Sequence, residues 1–104
     1  MKVIIHAKGL TLKKEEDEYI IAKMEKISTL AKRIKDESSE IKIDISHDVT
    51  KAKEESITCV IKVFVPKDTL VSEANGSIVT EALDLAKKQL IPQIEKYKTK
   101  FLNH

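Results

Sequence analysis

Ile41-Lys42-Ile43-Asp44-Ile45-Ser46 places an isoleucine at every second position with a polar residue between. Successive side chains of a strand point to opposite faces, so this stretch predicts a strand with one buried and one wetted side. The polar run from Asp48 to Glu55 follows and reads as a hairpin connection. Beyond it Ile57, Cys59, Ile61, Val63 and Val65 mark one face of a longer strand, with Thr58, Val60, Lys62 and Phe64 on the other. Pro66-Lys67-Asp68 predicts a turn, and Thr69 to Ala74 a fourth, shorter strand.

Toward the N-terminus the period changes. Ile20, Met24, Ile27, Ala31 and Ile34 recur at spacings of three and four, one apolar stripe on a helix running from about Lys14 to Lys35. Glu15-Glu16-Asp17-Glu18 falls in its first turns and Lys32, Arg33 and Lys35 in its last, the order that complements the helix dipole. Asp36-Glu37-Ser38-Ser39 closes it as a polar turn. Ahead of the helix, Lys2-Val3-Ile4-Ile5-His6 is short and β-branched and predicts the first strand.

Toward the C-terminus Asn75-Gly76-Ser77 breaks the chain, with Ser77 as the expected N-cap of a last helix. Val79, Ala82, Leu83, Ala86, Leu90, Ile94, Tyr97 and Phe101 form its stripe. Pro92 lies inside that pattern. It lacks an N–H and crowds the carbonyl of Lys88, so a kink or two abutting helices is expected. The order is β-α-β-β-β-α. Alternating strands offer one apolar face, so the fold expected is α+β, a four-stranded sheet with both helices on one side and the other side partly open.

The 104 residues are expected to make one domain, residues 1–104, with no linker, repeat or low-complexity tract. Hydrophobic residues at 41% and charged residues at 35% suit a globular domain with a small core and argue against a disordered chain. The apolar runs are far too short to cross a bilayer, and Met1-Lys2-Val3 lacks a signal-peptide layout, so no membrane partner and a cytoplasmic location are expected. Cys59 is the only cysteine, which leaves no intrachain disulfide; on the inward face it reads as a buried, inert thiol.

Little in the chain asks for catalysis. His6, His47 and His104 show no ligand spacing with one another or with Cys59, and Gly9 and Gly76 stand alone rather than in a phosphate-cradling loop. No paired-acid or nucleophile signature appears, so neither an enzyme nor a cofactor or metal is expected. Charge is more telling. The net charge of +2 hides basic ends and an acidic middle: residues 1–14 hold four lysines and no acid, residues 36–55 seven acids against three lysines, and residues 87–104 five lysines against Glu95. A polyanion should therefore meet surface from the two ends.

Lys23 and Lys26 lie on neighbouring parts of one helical surface. Lys88, Glu95 and Lys98 run along the polar side of the last helix, flanked by Lys87, Lys96 and Lys100. Ammonium groups bind phosphate as point charges without reading bases, so such a surface fits a folded nucleic-acid backbone, bound with strong salt dependence. The alternative reading is that these lysines only keep the helices soluble. Aromatic residues at 4%, with no tryptophan, poorly supply a base-stacking platform, which favours shape and phosphate recognition.

The residues Lys8-Gly9-Leu10, Tyr19-Ile20, Lys23-Met24 and Lys26-Ile27, followed by Ala82-Leu83-Asp84, Lys88-Gln89-Leu90, Gln93-Ile94 and Lys96-Tyr97-Lys98-Thr99-Lys100, resemble the bacterial ribosome hibernation promoting factor family, also called ribosome-associated inhibitor or protein Y. The resemblance spans essentially the whole chain. It implies a β-α-β-β-β-α domain in the channel of the small ribosomal subunit, covering the decoding region. It assigns ribosomal RNA contacts to Lys23, Lys26, Lys87, Lys88, Lys96, Lys98 and Lys100, and a mechanism of steric occlusion that blocks initiation and protects idle ribosomes. With no room for a second domain and little beyond Lys100, the chain resembles the short hibernation-promoting type, a monomer off the ribosome that works with a separate ribosome modulation factor. Ile78-Val79-Thr80 departs from the family's usual Asp-x-Tyr, and Pro92 stands where a basic residue is common. Two other readings of the residues stay open: a double-stranded RNA-binding module, and a protein-interaction domain without nucleic acid that docks a partner on the open sheet face or an edge strand.

Overall fold

The structure is a computed structural model that describes residues 2–30 and 39–101. Its elements are β1 (Lys2–Lys8), α1 (Lys14–Leu30), β2 (Glu40–His47), a short 3-10 turn (Lys53–Glu55), β3 (Ile57–Val65), β4 (Asp68–Gly76) and α2 (Val79–Phe101). The expected order holds, with β1 and β4 each longer than the sequence pattern marks. The expected α1 positions Ala31, Lys32, Arg33, Ile34 and Lys35, and the turn at Asp36-Glu37-Ser38, lie outside the described residues.

The four strands form one sheet in the order β1-β2-β3-β4. β1 runs parallel to β2 across the α1 crossover, with Val3 opposite Ile41 and Ile5 opposite Ile43. β2–β3 and β3–β4 are antiparallel. The register aligns Ile43, Ile61 and Ser72, and Ile45, Cys59 and Ala74, so the inward residues of three strands form continuous rows. Ile41, Ile43, Ile61, Val63 and Cys59 are fully buried against Ile20, Met24 and Ile27 of α1 and Ala82, Leu83, Ala86, Leu90 and Ile94 of α2. Burying an isoleucine or leucine contributes about 1.5–3 kcal/mol, so these rows decide where the helices sit. The opposite face, with Ile4, Lys42, Asp44, Val60, Lys62 and Phe64 half-buried, carries no helix among the described residues. Burial pushes the Cys59 thiol up to about 12, which makes it an inert core residue.

Strand directions fix helix directions. β1, β2 and β4 point the same way, and each helix returns against the strand before it, so α1 and α2 run parallel and side by side. Both start with a carboxylate that reaches back to the chain. The Glu16 carboxylate accepts the Lys13 N–H at 2.8 Å, and that of Glu81 accepts the Ser77 N–H at 3.2 Å. The expected cap at Ser77 moves one residue on: the Ala82 N–H donates to the Ile78 carbonyl, which leaves Ser77 just outside the helix. Gly76 is needed at this junction, because a Cβ there would lie 2.9 Å from the Ala82 backbone nitrogen.

Pro92 does not divide α2, which continues from Val79 to Phe101. Leu90 and Ile94 are fully buried on either side of it, while Pro92 itself is exposed. The hydrogen bond it removes is therefore on the wet face, where water can take the freed carbonyl, and packing holds the helix together. Two further contacts pin the second half of α2. The Tyr97 hydroxyl donates to the Pro66 carbonyl at 2.7 Å. The Gln93 carboxamide accepts the Val71 N–H at 3.2 Å and donates to the Val71 carbonyl at 2.7 Å, pairing with the edge of β4 as a strand would.

The β3–β4 turn stores strain at Lys67, whose φ is +70°. Pro66 followed by a residue at positive φ is the pattern of a type II turn, where glycine is preferred. Opposite outcomes are therefore expected at two positions in chemical denaturation. Lys67→Gly stabilises by about 0.5 kcal/mol, the left-handed penalty less the entropy glycine loses on folding. Gly76→Ala destabilises by about 1–3 kcal/mol, because the methyl group meets backbone that cannot move aside cheaply.

Candidate nucleic-acid interface

The buried stripe of α1 aims its next face at α2. Tyr19, Lys23 and Lys26 follow one another at helical spacing beside Ile20, Met24 and Ile27, and meet Asp84 and Lys87 of α2. The Tyr19 hydroxyl donates to the Asp84 carboxylate, 2.8 and 2.7 Å from its two oxygens. The Lys23 ammonium lies 3.8 Å from Asp84 Oδ1 and 5.1 Å from the centre of the Tyr19 ring. One carboxylate thus holds a phenol and an ammonium from the neighbouring helix. The bond to Asp84, with burial and the carboxylate's charge behind it, raises the Tyr19 pKa.

Cations accumulate around that carboxylate. The Lys87 pKa is lowered, first by burial and then by the charges of Lys23 and Lys26, with Asp84 acting in the opposite sense. Positive charge from α1 therefore acts on Lys87 of α2. Lys23, Asp84, Lys87, Lys88 and Ile91 line a shallow depression of about 230 Å³ between the helices. Of the seven lysines singled out in the sequence, four gather here: Lys23, Lys26, Lys87 and Lys88.

The other three do not join them. Lys96 and Lys100, one turn apart, stand on the flank of α2 that faces β4, where they line a groove of about 360 Å³ with Asp68, Thr69, Leu70, Gln93, Tyr97 and Phe101. The Lys100 ammonium sits 5.1 Å from the Phe101 ring centre, and that ring packs against Tyr97 at 4.8 Å. Lys98 lies three turns beyond Lys87 on the α1-facing side, mostly buried and 3.6 Å from Glu95 Oε1. Of the expected line of Lys88, Glu95 and Lys98, Lys98 thus lies on the Lys87 side, and the flanking lysines divide, Lys87 toward α1 and Lys96 and Lys100 toward β4. The helical period turns Lys96 about half a revolution from Lys87, and the sequence spacing read as flanking a line is in fact the two sides of a cylinder.

Asp84, Tyr19 and Gln93 carry roles that the sequence reading missed. A phenol and a carboxylate 65 positions apart leave no local spacing signal, and a glutamine beside a proline looks like any wet helix residue. Among the described residues no three His, Cys, Asp or Glu side chains come together as a metal-binding group.

The sequence matches the model of the family described as Sigma 54 modulation protein / S30EA ribosomal protein over residues 3–101. The chain belongs to that family. The S30EA fold is also seen in its structural neighbours. The N-terminal domain of Protein Y from Thermus thermophilus superposes with a TM-score of 0.71 at 18% identity, covering 93% of this chain and 99% of that one. A ribosomal subunit interface protein from Coxiella burnetii gives 0.70 at 20% identity, covering 95% and 99%. No curated protein matches the sequence.

In this S30EA chain the α1–α2 seam can do one thing well: present several donors and positive charges to an anion without moving the backbone. It can also be tested in isolation. Because its pKa is raised, neutral Tyr19 contributes stability that is fully present below pH 10 and lost as the pH climbs through its folded-state value. The Tyr19 ring-carbon resonance should therefore titrate above pH 10.0, and Asp84→Asn should bring that titration back down. Lys87 behaves in the opposite sense, since its charged form is disfavoured in the folded chain. Lys87→Gln should raise the thermal midpoint of the free protein at neutral pH.

Proposed function

We propose that the chain binds the decoding region of the small ribosomal subunit through ribosomal RNA phosphates and blocks translation sterically, keeping idle ribosomes inactive. The observation that carries this reading is the α1–α2 seam, where Lys23, Lys87 and Lys88 line one depression and the charged form of Lys87 is disfavoured by burial and then by the charges of Lys23 and Lys26. A fold gains nothing from such an arrangement unless an anion arrives to offset it. A polyphosphate backbone is the anion that fits lysines without a base-reading platform. Membership of the S30EA ribosomal protein family, and a structural neighbour described as a ribosomal subunit interface protein, support the ribosome as the source of that backbone.

The action is occlusion: no bond is made or broken, and no cofactor takes part. The site of action is cytoplasmic, with a separate ribosome modulation factor as a second partner. No helix among the described residues is long and apolar enough to cross a membrane. A double-stranded RNA-binding module would place paired lysines at the start of its last helix. Here that stretch, residues 77–86, carries Glu81 and Asp84 and no base.

Co-sedimentation with ribosomes separates the readings. Binding to the small subunit should be strong at low salt and fall steeply and log-linearly with salt, by roughly 0.9 per phosphate neutralised in the log–log slope. Binding that ignores salt would point to a packed protein interface instead. Equal binding to isolated duplex RNA would favour the duplex module.

A further inference from the structure

The two edges of the sheet end differently. At β4 the Gln93 carboxamide takes both backbone groups of Val71, so another strand cannot lie along that edge there. At the opposite edge β1 pairs with β2 on one side only. Among the described residues no loop, helix end or side chain hydrogen-bonds its outer backbone. β1 has no proline, and its unbroken register with β2 leaves no bulge to turn the edge away. Its apolar residues are incompletely covered on both faces. Val3 and Ile5 pack against the helix-facing core and Ile4 stands on the open face, all three only half-buried, whereas Ile41 and Ile43 beside them are fully buried.

We infer that β1 is the docking edge for a second copy of this chain, β1 against β1 and antiparallel about a twofold axis, joining two four-stranded sheets into one. The resemblance implies a monomer off the ribosome; the open edge points instead to a pair that forms as concentration rises. Side-chain chemistry selects the register. With the axis at Ile4, Ile4 meets Ile4 of the second copy, Val3 meets its Ile5, and Lys2 meets its His6. The helix-facing row then runs Ile41-Val3 in one copy and Ile5-Ile43 in the other, an unbroken apolar strip. The open-face row runs Glu40-Lys2 and then His6-Asp44, so each basic group has a carboxylate of its own chain as its register neighbour. His6 Nδ1 already lies 3.5 Å from Asp44 Oδ1. Moving the axis to Ile5 sets Lys2 opposite Lys8 and Ile4 opposite His6, which pairs like charges and loses the apolar contact. A twofold contact uses the same patch on both copies and closes on itself, so growth stops at the pair. So short a contact buries little surface and belongs to the weak, concentration-dependent class. It uses none of the seven lysines assigned to RNA, and so stands or falls apart from the ribosomal reading.

The test uses the free full chain in sedimentation velocity. Its average mass should climb from the 11.8 kDa of one chain toward twice that as concentration rises from micromolar to millimolar. Ile4→Lys sets two ammonium groups face to face at the axis and should hold the protein at the single-chain mass, with circular dichroism confirming the fold. Disulfides in a Cys59→Ser background report the register. Ile4→Cys places two thiols on opposed residues whose Cα atoms are about 5 Å apart, and should give a covalent dimer under mild oxidation. His6→Cys should give at least tenfold less, because its two copies lie roughly 14 Å apart. The proposal is overturned if the parent stays at the single-chain mass at millimolar concentration, if Ile4→Lys dimerises like the parent, or if His6→Cys crosslinks as readily as Ile4→Cys.

Discussion

A sheet with one apolar face is the constraint from which the rest follows. β2, β3 and β4 bury alternate residues and wet the others, so two amphipathic helices have only one place to go. Sharing that face makes them neighbours, and the strand directions make them parallel. Parallel neighbours bring the same stage of each helix into register: Tyr19 and Lys23 with Asp84, then Lys23 and Lys26 with Lys87. Charge plays the lesser part in positioning. The half-exposed Lys23–Asp84 pair contributes under about 1 kcal/mol, against about 1.5–3 kcal/mol for each isoleucine or leucine buried beneath it.

The elements whose cause is local were legible in the sequence. Strict alternation in Ile41–Ser46 and Ile57–Val65 names strands and their inner faces, and the stripe from Val79 to Phe101 names the last helix and its buried side. Where tertiary packing overrides a local rule, the reading erred. Pro92 predicts a kink or two abutting helices, and the second is excluded: Leu90 and Ile94 anchor one helix on both sides and the proline falls on the wet face. Ser77 is a strong cap by type, but the carboxylate of Glu81 takes the N–H outside the helix, and the first helical bond starts at Ile78.

The site was legible as a list of residues and not as an arrangement. Every lysine in it is visible in the sequence, and the helical period alone distinguishes Lys87 from Lys96. What the period does not say is which flank of α2 meets α1 and which meets β4. That depends on pairing between residues far apart, Tyr19 with Asp84 and Val71 with Gln93, and no local spacing encodes it.

Asp84 then explains how a cationic seam survives in the free protein. On the proposed reading, a carboxylate in the middle of a phosphate-binding surface opposes binding, and its presence needs a reason. It accepts the Tyr19 hydroxyl, sits within 4 Å of Lys23, and counters the forces that depress Lys87. Without it, the ammonium groups would face one another across the seam with only solvent between. Such local conflict is what a binding surface looks like before its partner arrives: the fold tolerates repulsion that an arriving anion relieves. Asp84 supplies one negative charge of the several that a phosphate backbone brings. It offsets part of the positive charge at the seam, while the buried apolar residues beneath hold the helices together.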